Sequence, residues 1–102
     1  MARPKQATPT SGELEILHVL WSRGPSTVRE VLDELSASRP RAYTSVMTLL
    51  NVMTDKGLVA REPEGRAFIY TPIYTRENSV QSFVDRVFDG AAEQLVAALL
   101  QS

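Results

Sequence analysis

Cysteine is absent from the 102 residues, and histidine occurs once, at His18. The first absence excludes a disulfide framework, a thiolate zinc or iron–sulfur site and a cysteine nucleophile. The second excludes a multi-histidine metal centre and a pair of histidine acid/base groups. No apolar run approaches the roughly 20 residues needed to cross a bilayer. No apolar stretch follows Arg3 and Lys5 to make a signal peptide. The expectation is a soluble cytoplasmic protein without membrane insertion. Net charge is nearly absent too: 11 basic against 12 acidic residues leave −1, with no overall pull toward nucleic acid or a membrane surface. There is no glycine-rich phosphate loop. Glu13, Glu15, Asp33 and Glu34 sit where helix capping and solvated faces use them, and the serines and threonines have no base beyond His18. An enzyme is therefore not expected, nor a cofactor or a metal. The length suits a single core.

What is present is periodic. Met1–Pro9, with two prolines and two cations, reads as a disordered arm. Thr10 followed by Glu13 is a capping-box spacing, and Leu14, Leu17, Leu20 and Trp21 then recur at helical intervals up to Gly24-Pro25. Ser26 or Thr27 caps a second helix, with Glu30 three residues past Thr27 and an apolar face of Val28, Val31, Leu32 and Leu35. Its end falls within Ser36 to Pro40. A third helix is expected over 42–56, with a core stripe of Val46, Leu49, Leu50 and Met53 and Gly57 just beyond its end.

The opposite face of that third helix carries Thr44, Thr48, Asn51 and Asp55, flanked by Ser45 and Met47. Short hydroxyl and amide groups are poor helix formers, but they suit close approach to phosphates and base edges. An ordinary polar surface is the other reading of the same residues.

After Gly57 the pattern turns to strands. Leu58 to Glu62 and Ala67 to Thr71 are rich in β-branched and aromatic residues, and Pro63-Glu64-Gly65-Arg66 is placed as a turn. A hairpin over 58–71 follows, with Arg61 and Arg66 along it. Thr75 then caps a helix bearing Val80, Phe83, Val84, Val87 and Phe88 that is expected to stop at Gly90. A second amphipathic stretch carries Ala92, Leu95, Val96, Leu99 and Leu100. Two short helices with this much apolar surface exceed the needs of a small core, and the excess reads as a homodimer interface.

Helix, helix, helix and hairpin is the order of a winged helix-turn-helix, so the chain is expected to be mainly α with a small β-hairpin, followed by C-terminal dimerisation helices. The division is an arm over 1–9, a DNA-binding winged helix over 10–72 and a dimerisation segment over 73–102. The third helix would enter the major groove and the hairpin would act as the wing, with Arg61 and Arg66 on phosphates or in the minor groove. Charge supports this locally: from Arg39 to Arg66 five cations face three anions, whereas Ile73 to Ser102 has two cations and four anions.

The blocks Ser11-Gly12-Glu13-Leu14-Glu15-Ile16-Leu17 with Val19-Leu20-Trp21, Val28-Arg29-Glu30-Val31, Ala42-Tyr43-Thr44-Ser45-Val46, Asp55-Lys56-Gly57-Leu58-Val59 and Gly65-Arg66-Ala67 through Tyr70 are collinear. Together they resemble the penicillinase-repressor (BlaI/MecI) family over about residues 10 to 100. The resemblance implies a homodimeric repressor on a dyad operator. It gives Thr44, Ser45, Thr48 and Asn51 base-facing roles, Arg41 and Tyr43 backbone contacts, Arg66 the wing contact, and the segment from Phe83 to Leu100 dimerisation. A membrane sensor-protease is an implied partner, because classical family members are inactivated by cleavage inside the last region, at an Asn–Phe bond. The aligned pair here is Ala98-Leu99, a departure at the candidate cleavage position. Copper-responsive relatives end in a cysteine-rich hook, which this sequence lacks. Family members commonly run on into a further helix, whereas this sequence stops at Ser102, leaving open a smaller dimer face or a shortened chain. A winged helix that binds only protein is the alternative function.

Overall fold

Three threonines start helices by the same device. In the computed structural model, which describes residues 8–101 and every side chain among them except that of Ala92, helix α1 (Ser11–Arg23) begins at Thr10. The Thr10 Oγ1 accepts from the Glu13 amide at 3.2 Å, while the Glu13 carboxylate accepts from the Thr10 amide at 2.9 Å. Thr27 and Glu30 repeat the exchange at 3.1 and 2.9 Å to open α2 (Val28–Ser36). Thr75 and Asn78 do so at 3.0 and 2.9 Å at the start of the last helix. Each exchange satisfies two amides that the helix leaves unpaired. The third helix, α3 (Tyr43–Asp55), has Ala42 at its N-cap and no side-chain cap.

Gly57 closes α3 as expected. Its amide donates to Thr54 O at 3.1 Å and that of Leu58 to Met53 O at 2.9 Å, the paired bonds of a Schellman motif. The chain then enters β1 (Val59–Glu64) and returns in β2 (Ala67–Pro72), antiparallel with Val59 opposite Pro72 and Glu64 opposite Ala67. The turn is therefore only Gly65-Arg66, shorter than the four residues expected. Gly65 has φ +62° and Arg66 does not share the positive value, the pattern of a type II′ turn, whose twist matches that of the strands.

A third strand-like contact was not foreseen. Ser26 and Tyr70 exchange amide bonds at 3.1 and 2.8 Å, so the connection between α1 and α2 pairs with β2 and roots the hairpin on the helices. The core lies among these elements: Ile16, Leu17 and Leu20 from α1, Val31 and Leu35 from α2, Val46, Leu50 and Met53 from α3, and Leu58, Val59 and Tyr70 around the hairpin, all buried. Leu14, Trp21 and Leu49 pack on its rim. Thr8 is exposed and Pro9 is buried, so the expected arm does not extend to Pro9; residues 1–7 lie outside those described.

The C-terminal segment differs from expectation in one respect. Instead of two helices separated at Gly90, it forms one helix, α4 (Arg76–Gln101). A glycine ends a helix by taking a left-handed conformation. Among the described residues positive φ is confined to Gly24, Gly57 and Gly65, so Gly90 continues the helix. The cost of an interior glycine, about 1 kcal/mol against alanine, weakens the helix without breaking it.

Candidate nucleic-acid interface

The polar face of α3 turns outward. Thr44, Ser45 and Thr48 are exposed, Asn51 is half-buried, and Tyr43 and Met47 are exposed beside them. Arg61 on β1 reaches back to this helix, its guanidinium donating to Asn51 Oδ1 at 3.0 Å while lying 4.7 Å from the centre of the Phe68 ring. That bond orients the Asn51 amide. One lone pair of its oxygen accepts from Arg61, and the NH₂ end can donate to an acceptor on a base edge. Between α3 and the hairpin runs a groove of about 310 Å³, lined in part by Tyr43, Met47, Asn51, Arg61, Arg66 and Phe68. Arg29, exposed on α2, also lines this groove. Nothing in the periodicity of α2 marks it, since only the approach of β2 brings the two together.

Three of the five cations that made this region basic in the sequence are engaged by carboxylates of α1. Lys56 Nζ donates to both oxygens of Glu13, at 2.9 and 3.0 Å. Burial pushes the Glu13 carboxyl up, but the Thr10 amide and Lys56 together outweigh it and hold it below the usual range. Arg41 donates to Glu15 Oε2 at 2.7 Å and Arg39 to Glu15 Oε1 at 3.4 Å. The Arg41 bond, helped by the two positive charges, lowers the Glu15 carboxyl against some desolvation. Arg41 is 14 % exposed and its Nε is buried with no hydrogen-bond partner. So Arg41, expected at the phosphates, sits folded against α1, and the cations of the groove itself are Arg29, Arg61 and Arg66.

The apolar residues expected at a dimer interface lie on α4 and are exposed: Val80, Phe83, Val87, Phe88, Leu95, Val96, Leu99 and Leu100 all rank among the exposed large hydrophobic residues, and Val84 is half-buried. Because α4 does not stop at Gly90, Phe88 and Leu95 stand one heptad apart on one face, with Val84 close to the same line. The root of α4 is tied to the core through Tyr74. Trp21 Nε1 donates to Tyr74 O at 2.9 Å, and the Tyr74 hydroxyl meets Ser82 Oγ at 3.1 Å. Ala98 and Leu99 lie inside α4, exposed but helical. His18 is exposed, its ring edge-on to Trp21 at 5.1 Å. Among the described residues no three His, Cys, Asp or Glu side chains converge as metal ligands, and no helix is long and apolar enough to cross a membrane.

The profile of the penicillinase repressors matches residues 9–102. The chain belongs to the penicillinase repressor family. This is a family of transcriptional repressors and not of enzymes. The penicillinase repressor of Bacillus licheniformis is 28% identical over 97 residues, which cover 91% of this chain and 76% of that protein. The transcriptional regulator BlaI of Mycobacterium tuberculosis is 44% identical over 72 residues, 68% of this chain and 52% of that one. The chain thus spans about three quarters and one half of these two relatives. The solution structure of the DNA-binding domain of the repressor BlaI superimposes with a TM-score of 0.65 at 29% identity, covering 74% of this chain and 93% of that one. Monomeric BlaI of Bacillus licheniformis, solved in complex with the blaP half-operator, superimposes at 0.62 and 30% identity, covering 72% and 90%. The winged-helix reading of α1 to β2 is thereby established.

Proposed function

We propose that this repressor binds a dyad DNA operator as a homodimer, with α3 in the major groove and the hairpin as its wing. The observation that carries the reading is the outward face of α3, built of short polar side chains and flanked by Arg61 and Arg66, in a fold shared with a repressor solved on half of its operator. Thr44, Ser45, Thr48 and Asn51 read base edges, Tyr43 holds a backbone phosphate, and Arg61 and Arg66 fix register from the wing, while Arg41 stays on Glu15. Residues 10–72 serve as the reading head. Residues 73–102 serve for dimerisation, through Val80, Phe83, Val84, Val87, Phe88, Leu95, Val96, Leu99 and Leu100. The protein works where the DNA is, in the cytoplasm. If a membrane sensor-protease inactivates it, the bond at Ala98–Leu99 must first leave the helix, because a protease takes its substrate extended.

Selection of bound sequences from a random duplex pool, followed by footprinting, tests this reading. The expected product is a palindrome whose half-site centres lie about 34–36 Å apart, or a multiple of that. Absence of a protected dyad, together with no mobility shift at about 50 mM salt, refutes it.

A further inference from the structure

Glu15 is a carboxylate that faces two arginines at the threshold of the recognition helix. It lies on α1, 39 % exposed, while Arg39 and Arg41 belong to the turn between α2 and α3. Both guanidinium groups point at it, one through each of its oxygens. A carboxylate flanked in this way presents to the arginines what a DNA phosphate would present: two anionic oxygens in one plane of approach. The fit to Arg41 is incomplete, since one terminal nitrogen is bonded and Nε is buried without a partner. A guanidinium in that condition gains hydrogen bonds when a better acceptor arrives.

We infer that Glu15 acts as an internal phosphate mimic, occupying Arg39 and Arg41 in the free protein and setting how strongly the repressor grips DNA irrespective of sequence. This rests on the DNA-binding reading above. Base-edge contacts from α3 then carry a larger share of the total affinity. Loss of Glu15 frees cations that add sequence-independent binding, so non-cognate DNA benefits more than the operator does, and the specificity ratio falls. Glu15 touches neither base nor phosphate itself and acts only through the two arginines.

The test compares the wild type, Glu15→Gln and Asp33→Asn, by fluorescence anisotropy on a labelled selected operator and a scrambled duplex of equal length, from about 50 to 200 mM KCl. Asp33 is an exposed carboxylate of α2 and controls for the unit of net charge removed. Glu15→Gln is expected to tighten binding to the scrambled duplex and to steepen log K against log salt by about 0.9 for each additional phosphate neutralised. Each such phosphate adds about threefold to the affinity change across that salt range. Asp33→Asn is expected to leave the slope as it is, and Arg41→Gln added to Glu15→Gln is expected to abolish most of the tightening. Equal slopes for wild type and Glu15→Gln, or equal effects of Glu15→Gln and Asp33→Asn, overturn the mimic. Wild-type protein that binds neither duplex at 50 mM salt overturns the DNA reading itself, and the mimic with it. Circular dichroism and urea unfolding of each variant separate loss of fold from change of grip.

Discussion

Replacing Lys56 by methionine removes the partner of the buried Glu13 carboxylate while keeping the length and apolar stem of the side chain. Glu13 is 2 % exposed and Lys56 30 %. Breaking a buried pair from one side costs about 3–5 kcal/mol, because the remaining charge is left without compensation. Here Lys56 is open to water at one end, and the Thr10 amide stays on Glu13 at 2.9 Å, so the expected loss is nearer 2 kcal/mol. With a urea slope of about 1–1.5 kcal/mol/M for a chain of this size, the midpoint falls by about 1.5 M.

The pH dependence gives a sharper signature. In the wild type the Glu13 carboxyl lies below its ordinary value of 4.5, so its contribution to stability is present above that value and is lost as pH falls through the lowered one. In Lys56→Met the lysine's share of that lowering is gone. The deficit relative to wild type is therefore full at pH 7 and shrinks below about pH 4.5, where Glu13 takes up a proton. Glu13→Gln combined with Lys56→Met leaves a neutral amide that still accepts from Thr10, and is expected to recover more than half of the loss. A deficit under about 0.5 kcal/mol, or one that stays constant down to pH 3, refutes the reasoning.

Other outcomes follow from the interface. Arg66→Ala weakens binding to operator and scrambled DNA alike and reduces the salt slope by about 1, read by anisotropy titration. Thr48→Ala relaxes preference at one base position by about 1 kcal/mol, visible as a flattened position in a repeated selection. Phe88→Glu produces a monomer in sedimentation equilibrium and lowers affinity for the palindrome to that for a half-site; a variant that stays dimeric removes α4 from the interface. Gly65→Ala meets open space but holds φ +62°, so its expected cost is the backbone strain alone, about 1 kcal/mol by thermal unfolding.

Local signals in the chain were sufficient for most of the framework. Thr10/Glu13 and Thr27/Glu30 are short-range devices, and their spacing alone gives both helix starts. The stripe Val28, Val31, Leu32 and Leu35 likewise needs no partner to be recognised, and all four residues are buried. Where the reading fell short, the deciding contact is distant in sequence. Ser26 finds Tyr70 across 44 residues of chain and Glu13 finds Lys56 across 43. A count of charges along 39–66 could not discount Lys56, Arg39 and Arg41, because the carboxylates that engage them are on α1. Gly90 failed for another reason: a glycine stops a helix only when the following chain has somewhere else to go, and the segment beyond it is itself helix-forming. Arg29 belongs to the same class as Ser26, placed at the groove by tertiary approach and not by its own pattern.

The unbroken course of α4 has a regulatory meaning on the dimer proposed here. A helix of 26 residues is ~39 Å long, and its phenylalanines and leucines stand 60 % or more exposed. An isolated protomer would keep that surface in water, where a helix with an interior glycine holds together poorly. Association and the order of α4 then rise together with the amount of protein made. Operator occupancy becomes steeper than linear in copy number, so a modest fall in synthesis or a modest rise in turnover releases the promoter. On the proposed dimer, the apolar face of one helix thus sets a concentration threshold for repression.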